Sequence, residues 1–294
     1  MEQGNAQNNT SRIGLILEGG GMRGMYTAGV LDVFLQQEIK LQGVVGVSAG
    51  AIHGSNYLSE QIGRGVRYNL KYIRDKRYMS LSSLIKSGDL FNKEFCYEKI
   101  PDELSKFDYD TFRKNAGEIP FYVTCTNVET GQPEYIRCMD LKEDMDYLRA
   151  SASLPLVSRM IDKADKKLLD GGTADSIPIS FFESIGYKKN IVILTRPSGY
   201  VKKPDKTIGI LSKAYRKYPQ YVEACRMRHE NYNKSLQHVE EQEALGNAIV
   251  IRPTREVHIK RTERNKDKLK YMYKLGRYDA FKKLEEIRRF IREA

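Results

Sequence analysis

The chain of 294 residues has four cysteines, four histidines and no apolar run long enough to cross a bilayer. Each scarcity excludes something. Cys96, Cys125, Cys138 and Cys225 are widely spaced and form no C-x-x-C pair. That spacing fits neither a zinc site nor a disulfide framework. Reduced, structural thiols fit a cytosolic protein. Without eighteen consecutive apolar residues, no transmembrane helix is expected. The opening MEQGNAQNNTSR lacks a charged n-region and an apolar h-region, which argues against a secretory signal. Residues 1–12 read instead as a disordered lead. There is no D-x-[DN]-x-[DN]-G loop, so calcium is not expected, and no other metal or cofactor is implied. A G-x-x-x-x-G-K-[ST] phosphate loop is also missing, which counts against a nucleotide site.

What is present is a basic, globular composition. The formal net charge is +11. Residues 252–294 hold fifteen Lys/Arg against seven Asp/Glu and so supply eight of those eleven charges. Such a segment suits a solvated helix face or peripheral contact with an anionic membrane, here the inner face. No nucleic-acid partner is expected. Within it Tyr278, Phe281, Leu284, Ile287 and Ile291 recur every three or four residues, the spacing of an amphipathic helix. Packing on the domain is its simplest role.

The apolar runs set the fold class. IGLIL (13–17) and VVGVS (44–48) are short, continuous and followed by glycine or small residues, as buried parallel strands are. MYTAGVLDVFLQQ between them has helical spacing, and AGAIHGSNYLS reads as a second helix rich in small residues. FYVTCTNV and PEYIRC read as strands around a Glu129–Thr130–Gly131 turn. DMDYLRASASLP reads as a helix broken at Pro155, and KKLLDGGT as a strand running into glycines. NIVILTRP and NAIVIRP complete the set, with helix expected over 207–245 and mixed helix and loop over 60–115. Strand alternating with helix predicts a three-layer α/β/α domain on a mainly parallel sheet. It is expected to span residues 13–253, with 254–294 as a helical extension. The length suits one large domain plus such an appendage.

Three motifs carry chemistry. Gly46-Val47-Ser48-Ala49-Gly50 is G-x-S-x-G at a strand-to-helix junction, the nucleophile elbow that aims a serine Oγ off the end of a sheet. The glycines permit close packing and unusual dihedrals. Glu18-Gly19-Gly20-Gly21-Met22-Arg23-Gly24 exposes backbone N–H groups between a strand and a helix, which suits either an anion cradle or an oxyanion hole. Asp170-Gly171-Gly172 ends another strand. Asp170 either caps a turn or faces Ser48 across the shared C-terminal edge of parallel strands.

Together GGGMRG, GVSAG and DGG resemble the patatin-like phospholipase family, in order and at the expected strand ends. SASLP (151–155) resembles that family's small-residue segment ending in proline. The likeness runs over roughly residues 13–200 by motif. It implies a patatin-like fold and a Ser–Asp dyad, with Ser48 as nucleophile and Asp170 as base. It also implies an oxyanion hole from Gly19–Gly24, above all the N–H groups of Gly20, Gly21 and Met22, with Arg23 beside it. Gly46, Gly50, Gly171 and Gly172 would support the turns. A free carboxylate near its usual pKa of about 3.9 is a poor base for a hydroxyl, so Asp170 must be partly desolvated.

A histidine partner is the competing arrangement. His229, His238 and His258 follow Asp170 in the order that α/β-hydrolases use. The first two lie in a polar helical stretch, which leaves His258 as the best of them. His53, five residues beyond Ser48, falls on the wrong side of its helix. The expected activity is hydrolysis of a phospholipid or lysophospholipid ester through an acyl-enzyme. Acyl transfer, thioester hydrolysis, silent lipid binding and nucleotide binding are the alternatives.

Overall fold

The computed structural model describes residues 12–294, so the expected lead lies, apart from Arg12, outside the described residues. The strands are β1 Ile13–Leu17, β2 Gly43–Val47, β3 Phe121–Asn127, β4 Pro133–Cys138, β5 Ile161–Lys163, β6 Lys166–Asp170, β7 Lys189–Ile193 and β8 Ala248–Ile251. The helices are α1 Met25–Gln36, α2 Ala49–Leu58, α3 Arg64–Tyr72, α4 Leu81–Ser87, α5 Tyr109–Glu118, α6 Leu141–Ser151, α7 Ile179–Ser184, α8 Ile208–Ala214, α9 Pro219–Ala244, α10 Lys266–Lys282 and α11 Leu284–Arg292. A π-helical segment spans Phe95–Leu104, and single 3-10 turns span Gly21–Gly24 and Gly171–Thr173.

The sheet order is β5-β6-β3-β2-β1-β7-β8, with β4 also on β3. β1, β2, β3, β7 and β8 are parallel to one another. Every residue of β1 and β2 is buried, as their unbroken apolar runs require of strands covered on both faces. Alternation along β1 sends Leu15 to one layer and Ile16 to the other. Leu15 packs in the cluster that holds Tyr26 and Phe34 of α1 and Met272 of α10. Ile16 packs with Phe182 of α7 and Leu236 and Val239 of α9. The expected three-layer α/β/α arrangement is therefore the observed one.

One strand runs against expectation. β6 is antiparallel to β3 and does not share the C-terminal edge of the parallel set. β3 has three partners on two edges. β4 lies along residues 121–126 of one edge. The other edge takes β2 at residues 121–124 and then β6 at 125–127. β2 and β6 thus meet head-on: Val47 pairs with Thr124, and Asp170 with Cys125. The last residues of the two strands abut, which delivers Asp170 to the residue after Val47.

The C-terminal helices pack directly on this domain. α10 lies along α1 so closely that a Cβ on Gly276 would collide with the Tyr26 carbonyl. The Tyr26 hydroxyl donates to Asp279 (3.0 Å) and that of Tyr273 to Asp32 (2.7 Å). The stripe expected to form one helix is split between α10 and α11 at Lys283. Tyr278 and Phe281 are half exposed while Ile287 is buried. Leu269, Met272 and Leu275 supply the buried face of α10.

Candidate active site

Ser48 follows β2 and caps α2 with φ 55° and ψ −121°. A positive φ on a non-glycine residue is strained by roughly 1–3 kcal/mol and persists only where neighbours enforce it. Two neighbours do. A Cβ on Gly46 would lie 2.5 Å from the Ala51 Cα, and one on Gly50 would strike the Leu17 carbonyl, so only glycine lets the turn close. Ser151 supplies the third constraint. Its Oγ accepts the Ser48 N–H at 2.7 Å and donates to the Thr124 carbonyl at 2.6 Å. Two residues on, the Ser153 carbonyl accepts the Asp170 N–H at 2.9 Å. The SASLP segment therefore ties down both candidate catalytic residues.

Asp170 is buried, and its two oxygens do different things. Oδ1 accepts the Gly172 N–H at 2.8 Å and caps the 3-10 turn. Oδ2 is buried without an aligned donor, though the Ser48 hydroxyl is near enough to stabilise the ionised form. Burial pushes the Asp170 carboxyl above the usual carboxylate range, opposed by Arg228, Arg261, Ser48 and Gly172 in that order. This is the desolvated, one-sidedly bonded state a carboxylate base needs, and hydrogen bonds at such sites tighten once substrate binds.

The glycine loop lies beside Ser48, with Gly19 close to the Ser48 Cβ. Gly21 has φ +56°, and a Cβ there would meet the Arg261 carbonyl at 2.5 Å. Gly20 caps the 3-10 turn and Gly21 opens it, where N–H groups lack intrahelical acceptors. The Met22 N–H does not point freely into the site as expected. It donates to the Arg261 carbonyl at 3.0 Å, because the segment between β8 and α10 folds over the loop. Arg23 is buried, and burial together with Arg196 pulls its pKa down against Glu18. The Glu18 carboxylate is engaged by the Thr195 and Tyr232 hydroxyls at 3.0 and 2.9 Å.

Two cavities meet at Ser48. One is apolar and runs under α3, the π-helical segment and α6, past Met25, Ile52, Tyr68, Phe107 and Leu148. The other is small and polar, lined by Asp170, Arg23, Lys202, Arg228 and Arg261. The histidines lie elsewhere. The His258 side chain is 86% exposed, His238 bonds Glu183 at 2.8 Å and His229 the Arg226 carbonyl at 3.0 Å. His53 borders the apolar cavity but its ring lies against Gly24 and Gly65. Burial and Arg64 lower its pKa to about 4.

A family model described as patatin-like phospholipase matches residues 15–182. The chain belongs to that family. The match spans β1 to α7 and so contains the glycine loop, Ser48, Ser151 and Asp170. A second model, described as a domain of unknown function (DUF6363), matches residues 218–292. In this patatin-like chain those residues are α9, β8, the covering segment and the last two helices. YjjU of Escherichia coli, named an uncharacterized protein, is 29% identical over 192 residues, 64% of this chain and 53% of the relative. A lysophospholipase nte1 of Aspergillus terreus is 26% identical over 183 residues, 59% of this chain and 11% of the relative. The chain thus spans about half of the first relative and about a tenth of the second. The crystal structure of VipD from Legionella pneumophila aligns with a TM-score of 0.45 at 12% identity, covering 94% of this chain and 67% of that one.

Sequence reasoning passed over four residues at this site. Ser151 lies in a segment read as a helix end and noted for its resemblance, with no role given to its hydroxyl. Arg228 and Arg261 come from stretches read as helix and basic segment, and Lys202 lies between a strand and a helix in residues that were given no reading. No local spacing could have found them, since each reaches the site through tertiary folding.

Proposed function

We propose that this chain is a serine acyl hydrolase of lipid esters, acting through Ser48 and Asp170. Membership of the patatin-like phospholipase family supports lipid acyl hydrolysis. The observation that carries the mechanism is the head-on meeting of β2 and β6, which sets a strained serine beside a buried carboxylate at the mouth of an apolar cavity. The acyl chain lies in that cavity with its carbonyl over Ser48. Ser48 Oγ attacks, its proton passes to Asp170 Oδ2, and the Gly20 and Gly21 N–H groups receive the developing oxyanion. One such donor is worth roughly 3 kcal/mol in the transition state. Asp170 returns the proton to the leaving oxygen as the ester C–O bond breaks. It then takes a proton from the attacking water and passes it to Ser48 Oγ as the acyl–serine bond breaks and the fatty acid leaves.

The direct test is a long-chain alkylphosphonate that traps the serine, read by peptide mass spectrometry. Modification of the peptide bearing Ser48, and none in Ser48→Ala, supports the assignment. Modification at another residue, or none in the wild type, sinks it.

A further inference from the structure

Residues 218–292, matched by the domain of unknown function, send two side chains back to the catalytic site from different elements. Arg228 comes from α9. Its Nε donates to the Gly172 carbonyl, and the Gly172 N–H donates to Asp170 Oδ1 at 2.8 Å. A Cβ placed on Gly172 would lie 2.9 Å from Asp170 Oδ1 and 3.3 Å from Arg228 Nη2. The carboxylate and the guanidinium are therefore no more than about 6 Å apart, within the range over which a cation favours an ionised carboxyl. Arg261 comes from the segment between β8 and α10. Its carbonyl accepts the Met22 N–H at 3.0 Å, and the residue lines the polar cavity with Asp170 and Arg228. The C-terminal region thus touches both the glycine loop and the Asp170 turn.

The stand-off suits a base. A direct arginine–carboxylate pair is commonly bidentate and would occupy both oxygens. Here, among the described residues, neither arginine pairs directly with Asp170, and Oδ2 has no partner. Burial raises the Asp170 pKa, and Arg228 and then Arg261 oppose it most. The other groups around the carboxylate do not supply the same field. Burial lifts Cys125 and Tyr221 well above their usual ranges, so both stay neutral. Burial, with the two arginines, brings Lys202 to about 7, so its charge falls away near neutrality. Arg23 is faced by Glu18. Asp205 faces Arg228 and Arg261 and offsets part of their charge. Arg261 keeps its own charge at neutral pH, with a pKa of about 10 set by Arg228 first and burial second.

We propose that Arg228 and Arg261 are positioning residues that keep the Asp170 carboxylate charged while leaving its Oδ2 free for Ser48, and that this is what the C-terminal region contributes to the reaction. Arg228 acts through the Asp170–Gly172 turn. Arg261 acts from the segment that also braces the glycine loop. The inference rests on the Ser48–Asp170 reading for the use of the proton, but the charge state of Asp170 is measurable without turnover.

The test follows the Asp170 carboxyl by carbon-13 NMR in full-length protein labelled at aspartate, its signal assigned by its loss in Asp170→Asn. Arg228→Gln and Arg261→Met should each raise the titration midpoint by roughly half a pH unit to one unit, less than a buried contact pair gives because both arginines are part-exposed. Arg228→Lys and Arg261→Lys restore the charge and should return the midpoint to within about 0.3 unit of wild type. The acid limb of kcat/KM for a short-chain chromogenic ester should move in the same order. Arg261→Met leaves the carbonyl that accepts the Met22 N–H in place, so it decides the matter even if Arg228→Gln does not fold. Midpoints unmoved in the neutral variants overturn the proposal. Lysine variants that shift as far as the neutral ones also overturn it, since the arginines would then be hydrogen-bonding braces alone. A moved NMR midpoint that the acid limb does not follow keeps the action of the arginines on Asp170 and removes Asp170 as the base.

Discussion

Replacing Ser151 by alanine tests whether the nucleophile's geometry is imposed from outside its own motif. Ser151 is fully buried, and its hydroxyl satisfies two groups at once, the Ser48 N–H and the Thr124 carbonyl. Alanine removes both bonds and leaves a buried donor and a buried acceptor without partners. Each such group costs roughly 1–3 kcal/mol, so a loss of roughly 2–4 kcal/mol follows once partial relaxation is allowed. For a domain of this size that lowers Tm by roughly 5–10 °C. The kinetic effect comes through Ser48. Its positive φ is no longer pinned at the N–H, and a misplaced nucleophile loses roughly 10- to 100-fold in rate. The loss should fall on kcat and leave KM nearly unchanged, because Ser151 does not line the apolar cavity. The assay is a thermal melt with steady-state hydrolysis of a short-chain chromogenic ester. A variant that melts within 1 °C of wild type with unchanged kcat would refute the reasoning. A fall in Tm with unchanged kcat would reduce Ser151 to a structural role.

Other outcomes follow from the same geometry. Asp170 acts as a base only when ionised, and burial raises its pKa, so activity should climb with pH through a midpoint above the ordinary value near 3.9. A raised carboxyl favours folding below its unfolded pKa, and that contribution is lost as pH rises through the folded one. Asp170→Asn, which keeps the Gly172 bond without the charge, should therefore melt higher than wild type at neutral pH, with the gap narrowing toward pH 4; a lower Tm at pH 7 would contradict this. His258→Ala should hydrolyse ester within twofold of wild type, since that side chain is 86% exposed; a folded but inactive variant would reinstate a triad. Lys270, Lys274 and Lys282 share the exposed surface of α10 with Tyr271, Tyr278 and Phe281, so binding to anionic vesicles should weaken as salt rises. Vesicle binding unchanged by salt would remove membrane contact through this face.

Much of the site was legible because its signals are local. G-x-S-x-G announces a tight strand-to-helix turn by spacing alone, and three glycines after a buried strand announce a loop that backbone must approach closely. Asp170 was legible as a strand-end residue, and both readings of it describe the structure: Oδ1 caps the turn while Oδ2 is left free near Ser48. The route by which it arrives was not legible. Shared edges of parallel strands suggested one geometry, whereas an antiparallel β6 meets β2 end to end. Strand direction depends on pairing between residues 44 apart in the Thr126–Asp170 contact, which no short window contains. Ser151 and Ser48 are separated by 103 positions. The charge of the C-terminal segment was plain, but composition could not show that Arg261 turns inward and covers the Met22 N–H. The histidines were the reverse case: sequence order allowed three of them, and exposure or other bonding places each away from Ser48.

The central claim is that a buried carboxylate, and no histidine, activates Ser48. The most direct measurement is kcat for hydrolysis of a short-chain chromogenic ester by wild type, Ser48→Ala and Asp170→Asn, each confirmed folded by its melt. Loss of at least 1,000-fold in both variants, on the order expected when a nucleophile or its base is removed, is the predicted result. An Asp170→Asn enzyme that retains more than a tenth of wild-type kcat would contradict it.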